Sequence, residues 1–373
     1  DLDSDYNVDD IYFGTYGGAG TVAEPYKGKL YRLRLRADTG SPLVRTYKPT
    51  PSVANWPIEP VVVPGGGNGR PIFASPEVAQ DPEKRIWLYF GTGLYLTSEH
   101  ATATNEYFYG LKETEGCWNG STSPRSSCEY LSSSFLNTTN ISFTGAKAVE
   151  LGCFCSGNLL GTVACNAGTC STTCAAAGFP NTTTIVTKVQ DASIGTSYSG
   201  SPTDCSNKKD VDAINCIEGN INATSGNSDC GGSCNGWRRA IPGQKSFSKP
   251  FVAGGLANFT TYEPTSTSCS LGGNTHLHAL HYTTGTAYAQ PTIFTCDPND
   301  ANACGTTGAN NDLTISSSVN LGTGVPPLGE SLVALPLAGD TYKVITQVSG
   351  GLPGTSMSPS VAAKGGYVLW IVK

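Results

Sequence analysis

The first ten residues, DLDSDYNVDD, bring together Asp1, Asp3, Asp5, Asp9 and Asp10. Carboxylates held this close repel one another unless protons, a basic partner or a metal offset their charge. Calcium suits them best, because it accepts roughly six to eight oxygens in a flexible geometry and a loop can turn alternate side chains toward one centre. Asp1, Asp3, Asp5 and Asp9 stand at alternate positions of such a loop, and Asn7 is placed to add its backbone carbonyl. The pattern is D-x-D-x-D-x-x-x-D rather than an EF-hand, since Tyr12 occupies the place of the closing bidentate Glu and "IYFG" reads as a strand. Tyr6 stands where such loops carry Gly, and Asn7 tolerates the left-handed turn one residue later. Asp10 has the opposite parity and is expected to point away from the ion.

Other residue groups invite chemistry less strongly. His276 and His278 alternate and share one face of a strand, as a metal pair or as packing residues, while His281 faces the other way and His100 is remote. Cys165, Cys170 and Cys174, or Cys230 and Cys234, have spacings that zinc can use, but an oxidising compartment favours disulfides. "PGGGNGR" lacks the Lys-Ser/Thr and the following helix of a phosphate loop and reads as a turn. There is no G-x-S-x-G nucleophile motif, no evident acid and base pair of a glycosidase, and no adjacent Cys-Cys of the kind quinone-dependent propeller enzymes use. The expectation is a protein that binds rather than catalyses.

The elements that must position the loop are strands. The chain of 373 residues has 45 Gly and 23 Pro, only 14% charged residues and a single Met, a turn-rich composition poor in helix-forming runs. "IYFGTYGG", "GKLYRLRL", "RIWLYFGTGLYLT", "ANFTTYEP", "THLHALHYTTG" and "GGYVLWIVK" are strand and turn text, several repeating an aromatic strand, a Gly turn and a second strand. This predicts an all-β fold, an irregular β-propeller of about six to seven blades at about 40 to 50 residues per blade, with a pair of β-sandwiches as the alternative.

Fourteen cysteines lie between Cys117 and Cys304, eleven of them within residues 117–234. That polar, small-residue segment is expected to be a disulfide-stapled insertion made mostly of loops, with residues 1–116 and 235–373 forming the N-terminal and C-terminal blades. Its excision over residues 118–233 is expected to leave the flanks folded. The odd number requires at least one bridge outside the segment if all are oxidised. Six N-x-S/T sequons, at Asn119, Asn137, Asn140, Asn181, Asn222 and Asn258, accompany the cysteines and leave glycosylation open. No stretch offers the roughly 18 apolar residues of a membrane span, and the net charge of -6 gives no basic face for nucleic acid. A chain opening on a metal ligand reads as the C-terminal part of a longer, exported precursor.

Several stretches taken in order resemble the C-terminal propeller domain of the PilY-like type IV pilus tip adhesin and biogenesis family. They are "DLDSDYNVDDIYFGTYGG…GKLYRLRL", "PIFASPEV", "LYFGTGLYL", "YFYGLKE", "GWRRAIPGQK" and "TTYEPTSTSCSLGGNTHLHALHYTTG", over residues 1 to about 115 and about 236 to 300. The insertion has no counterpart in that pattern, and the ending "YVLWIVK" departs from it. The resemblance implies calcium at the first loop, regulation of pilus extension and retraction, and minor pilins together with a host or abiotic surface ligand as partners. It also implies an extracellular location at the pilus tip, associated with the outer membrane. An integrin-like cell-surface calcium propeller without a pilus, and a quinone-dependent oxidoreductase, are the other readings.

Overall fold

The computed structural model describes residues 8, 10–18, 26–34, 37–39, 44–46, 58–65, 69–83, 85–95, 105–113, 130–145, 148–155, 158–166, 176, 178, 183–189, 195–265, 272–288, 313–314, 317–326, 329–330, 332–336, 342–346 and 354–357. Strands dominate, as the composition predicts, and no described helix is long and apolar enough to cross a membrane. The sheets are small and mostly antiparallel; among the described residues they close into neither a barrel nor a propeller ring.

The first sheet pairs β1 (Asp10–Gly14), β2 (Leu30–Arg34) and β3 (Ile58–Val63), with Tyr130–Leu131 added parallel to β3. Tyr12, Arg32 and Glu59 lie opposite one another across it, and so do Ile11, Leu33 and Ile58. Because the side-chain period is two, the first row turns inward, with Arg32 and Glu59 buried and Tyr12 half-buried, while Ile11 and Ile58 on the other face are exposed. Gly28 closes the approach to this sheet: a Cβ there would stand 2.1 Å from the Thr15 carbonyl oxygen, so only glycine fits.

The second sheet forms the middle layer. Its strands are β4 (Glu77–Gln80), β5 (Ile86–Gly91), β6 (Asn105–Lys112) and β7 (Gly236–Pro242), with Leu136–Asn137 parallel to β7 at one edge. β5 and β6 read as nearly continuous apolar runs because both faces are covered. Leu88, Phe90, Tyr109 and Leu111 pack against Leu30, Val62 and Ile72 of the first sheet's side. Trp87, Tyr89, Phe108 and Trp237 face the other way, into a cluster with Phe259 and Leu280. These last come from the third sheet, in which β8 (Leu256–Pro264), β9 (Gly273–His281) and β10 (Ser318–Thr323) are consecutive neighbours. Phe259 stacks on Phe108 with ring centroids 3.6 Å apart.

The cysteine-rich segment differs from the loop-dominated expectation. Helix α1 (Asp210–Asn222) places Ala213, Ile214, Ile217 and Ile221 on one stripe, and this stripe joins the Trp237 cluster, as do Leu136, Phe143 and Tyr198. The Lys112 amine donates to the Ile221 carbonyl at 3.1 Å and to Asn222 Oδ1 at 3.2 Å, which sets a cation at the helix C-terminus. Disulfides Cys205–Cys216 and Cys230–Cys234 brace this region. A separate three-stranded sheet, Ala148–Cys155 with Asn158–Asn166 and Thr183–Val189, pairs with no other described strand. At its base, Phe143–Gly145 pairs antiparallel with Gly195–Thr196. The chain therefore leaves the core and returns to it at adjacent points.

Candidate functional site

Asp1, Asp3, Asp5, Asn7 and Asp9 lie outside the described residues, and the structure shows the strand they lead into and what anchors it. β1 begins at Asp10, and alternation puts Asp10 and Tyr12 on the inner face. There the buried Arg32 donates from Nη2 to Glu59 Oε2 at 2.9 Å and from Nη1 to Glu113 Oε1. Burial alone would lower the arginine's pKa, but Glu113, Tyr12, Glu59 and Asp10 outweigh it and hold the guanidinium charged. The Tyr12 phenol is pushed well above its ordinary value, first by burial and then by the charges of Glu113 and Asp10.

Asp10 has an electrostatic role of its own among these groups. A buried ion network of this kind is costly to break by removing one partner, so it fixes β1 to β2, β3 and the end of β6. Sequence reasoning missed it because Arg32 and Glu113 are 81 positions apart, and no local spacing reports such a pairing.

The described histidines, His276, His278 and His281, are packing and hydrogen-bonding residues. His278 stacks on Phe259 with centroids 4.7 Å apart, and its Nε2 lies 3.0 Å from both Thr261 Oγ1 and Gln244 Oε1. Burial, with smaller contributions from His276 and Arg239, lowers its pKa well below the ordinary value. His276 instead meets Glu263 at 3.0 Å. His281 faces the Thr283 and Thr284 hydroxyls at 3.2 Å each, and burial pushes its pKa down to about 4. Among the described residues, no three His, Cys, Asp or Glu side chains are grouped to hold a metal. Cys230 and Cys234 are joined in a disulfide, which ends the zinc reading for that pair. Cys170, Cys174 and His100 lie outside the described residues, as does the Cys165 side chain.

The glycine-rich stretch enters a turn at Pro64 and Gly65, where Gly65 has φ +76° and donates its N–H to Ser132 Oγ at 2.6 Å, and Gly66, Gly67 and Asn68 lie outside the described residues. The motif text around it serves packing in the same way. Ile72 of "PIFASPEV" bridges to Gly93 of "LYFGTGLYL", and the Thr92 hydroxyl donates to the buried Glu106 at 2.6 Å. In "GWRRAIPGQK", Trp237 donates its indole N–H to the Tyr282 carbonyl at 2.8 Å. Comparison with family models, curated proteins and solved structures finds no match to this chain.

Proposed function

We propose that this chain is the calcium-binding propeller domain of a type IV pilus tip adhesin and biogenesis factor, acting by binding rather than by catalysis. The observation that carries the reading is the succession of motifs in one order behind an acidic loop of alternate aspartates. Two structural features support it. The motif residues described above are turns and buried packing contacts, which is what a shared framework needs. The strand next to the loop is pinned by Arg32 with Glu59 and Glu113, so an ion gathered by Asp1, Asp3, Asp5, Asp9 and the Asn7 carbonyl would attach the loop to a fixed edge. Loop order would then follow calcium activity, giving a switch at the domain's start.

Small β-sheets with covered middles are the units from which a propeller of about six to seven blades would be assembled. The partners proposed are minor pilins and a surface ligand, the location extracellular at the pilus tip.

Calorimetry is the direct test: one calcium per chain is expected, with affinity largely lost in Asp9→Ala. Co-purification of minor pilins from the native cell envelope, weakened by chelation, is expected alongside it. Unchanged calcium binding in Asp9→Ala would remove the loop assignment, and a complete lack of pilins among captured partners would remove the pilus.

A further inference from the structure

We propose that Arg70, Tyr107 and Arg238 form a binding site for an oxyanion, a carboxylate or sulfate group presented by a ligand. The inference is independent of the calcium loop and of the pilus reading. The guanidinium carbons of Arg70 and Arg238 stand 5.9 and 5.0 Å from the centre of the Tyr107 ring. Arg238 is opposite Tyr109 in the β6–β7 register and Tyr107 is opposite Ala240, so the arginine and the ring rise from one face of the middle sheet. Arg70 reaches the same ring from the turn after β3. It lies tight against that turn, since a Cβ on Gly65 would stand 2.5 Å from its Nε.

Both guanidiniums are short of acceptors. Among the described residues Arg238 has no carboxylate at ion-pair distance, and Arg70 has only Glu106, with Oε1 at 3.8 Å, too far for a hydrogen bond. Glu106 is already engaged by the Thr92 hydroxyl and by the field of the buried Lys245. The Nε atoms of Arg70 and Arg238 are both buried and have no hydrogen-bond partner. Such donors in a native interior call for an explanation, and an absent acceptor is the simplest one.

Among the described residues, the two arginines on this ring meet one carboxylate, Glu106, in a chain whose net charge is -6. Attraction to a tyrosine face holds a guanidinium in place without using its N–H groups, which suits carboxylate or sulfate oxygens. Both side chains keep part of their surface in water, and 26% of the Arg70 side chain is exposed, so an anion can reach the guanidiniums from their exposed side although the Nε atoms are buried.

The test is a titration of arginine-15N-labelled protein, following the Nε–H resonances assigned with Arg70→Lys and Arg238→Lys. Sodium sulfate and sodium acetate are added in separate arms, with ionic strength held constant by sodium chloride. The expected result is a saturable shift at Arg70 and Arg238, with Arg32 unmoved: its Nε also lacks a partner, but its side chain is only 4% exposed and its Nη groups are held by Glu59 and Glu113. In Arg238→Lys the midpoint at Arg70 should weaken by about tenfold or more, as for loss of a bidentate partner. Tyr107→Leu, which keeps both charges and removes the stacking ring, should weaken both sites and serves if Arg238→Lys fails to fold. Saturation by acetate alone assigns a carboxylate, and by sulfate alone a sulfate ester. Linear shifts that track sodium chloride would overturn the site. An Arg70 midpoint unchanged in both variants would overturn the arrangement of two arginines on one ring.

Discussion

Gly285 lies against the indole of Trp237: at φ +66° a Cβ on it would stand 2.2 Å from ring carbons Cδ2 and Cε3. The glycine belongs to the turn after β9 and the tryptophan to β7, so this contact locks the middle sheet to the third. Gly285→Ala should lose about 1–2 kcal/mol for the left-handed backbone and about 1–3 kcal/mol more for overpacking. Gly255, at φ +76° with nothing within 4 Å, should show only the first cost when changed to alanine. Urea midpoints measure the difference, and equal losses in the two variants would mean that the turn moves freely off the indole.

Arg32→Met should destabilise the protein by about 3–5 kcal/mol, because it leaves Glu59 and Glu113 as buried carboxylates without their counter-charge. Asp10→Asn, at the edge of the same network, should lower stability by less and leave calcium binding intact. Asp9→Ala should do the reverse. Paired denaturation and calorimetry on the three variants check this, and calcium affinity lost in Asp10→Asn would move Asp10 into the metal site.

Acid should act through the buried His278 and the half-buried His281. His281 has an ordinary pKa of 6.5 when unfolded and about 4 when folded, so between these values the unfolded chain binds a proton that the folded one refuses. The stability held by the neutral ring is therefore full above pH 6.5 and is lost as pH falls toward 4, and His278 adds in the same sense. His281→Gln should flatten this part of the profile of urea midpoint against pH. Carboxylates titrate in the lower half of the range, so the decisive quantity is the difference between variant and wild type; parallel curves would show that the ring is accessible to protons.

The strands were legible where one physical cause dominates. "RIWLYFG" and "YFYGLK" are apolar on both faces because β5 and β6 are covered on both faces. Helix α1 was not legible. Asn215, Gly219 and Asn220 are poor helix formers, and the stripe Ala213, Ile214, Ile217 and Ile221 is short and set in polar text. Its packing against Trp237 and its tie through Cys216 to Cys205 override propensity, and both partners are remote from anything a local window sees. The anchoring of β1 was hidden for the same reason, since Arg32 finds Glu59 and Glu113 only once the sheets are assembled.

Where the cysteine-rich segment can be cut follows from the register of its base. Phe143 pairs with Thr196 and Thr144 with Gly195, so the ends of residues 146–194 already meet as neighbouring strands. Replacing those residues with a short Asn-Gly turn should close a hairpin and leave a folded core, because the excised three-stranded sheet pairs with no other described strand. The wider excision of residues 118–233 should not fold. It removes Leu136, Phe143, Ile214, Ile217 and Ile221 from the cluster around Trp237. Truncating one such side chain costs about 2–5 kcal/mol, against a total stability of about 5–15 kcal/mol for a typical domain. Near-ultraviolet circular dichroism and cooperative urea unfolding should therefore persist in the short deletion and vanish in the long one. If the short deletion also loses surface attachment while binding calcium normally, ligand recognition under the adhesin reading belongs to the excised sheet. If it folds and adheres as the full chain does, recognition belongs to the core. Failure of the short deletion to fold, with the long one folded, would show that the core does not extend through α1.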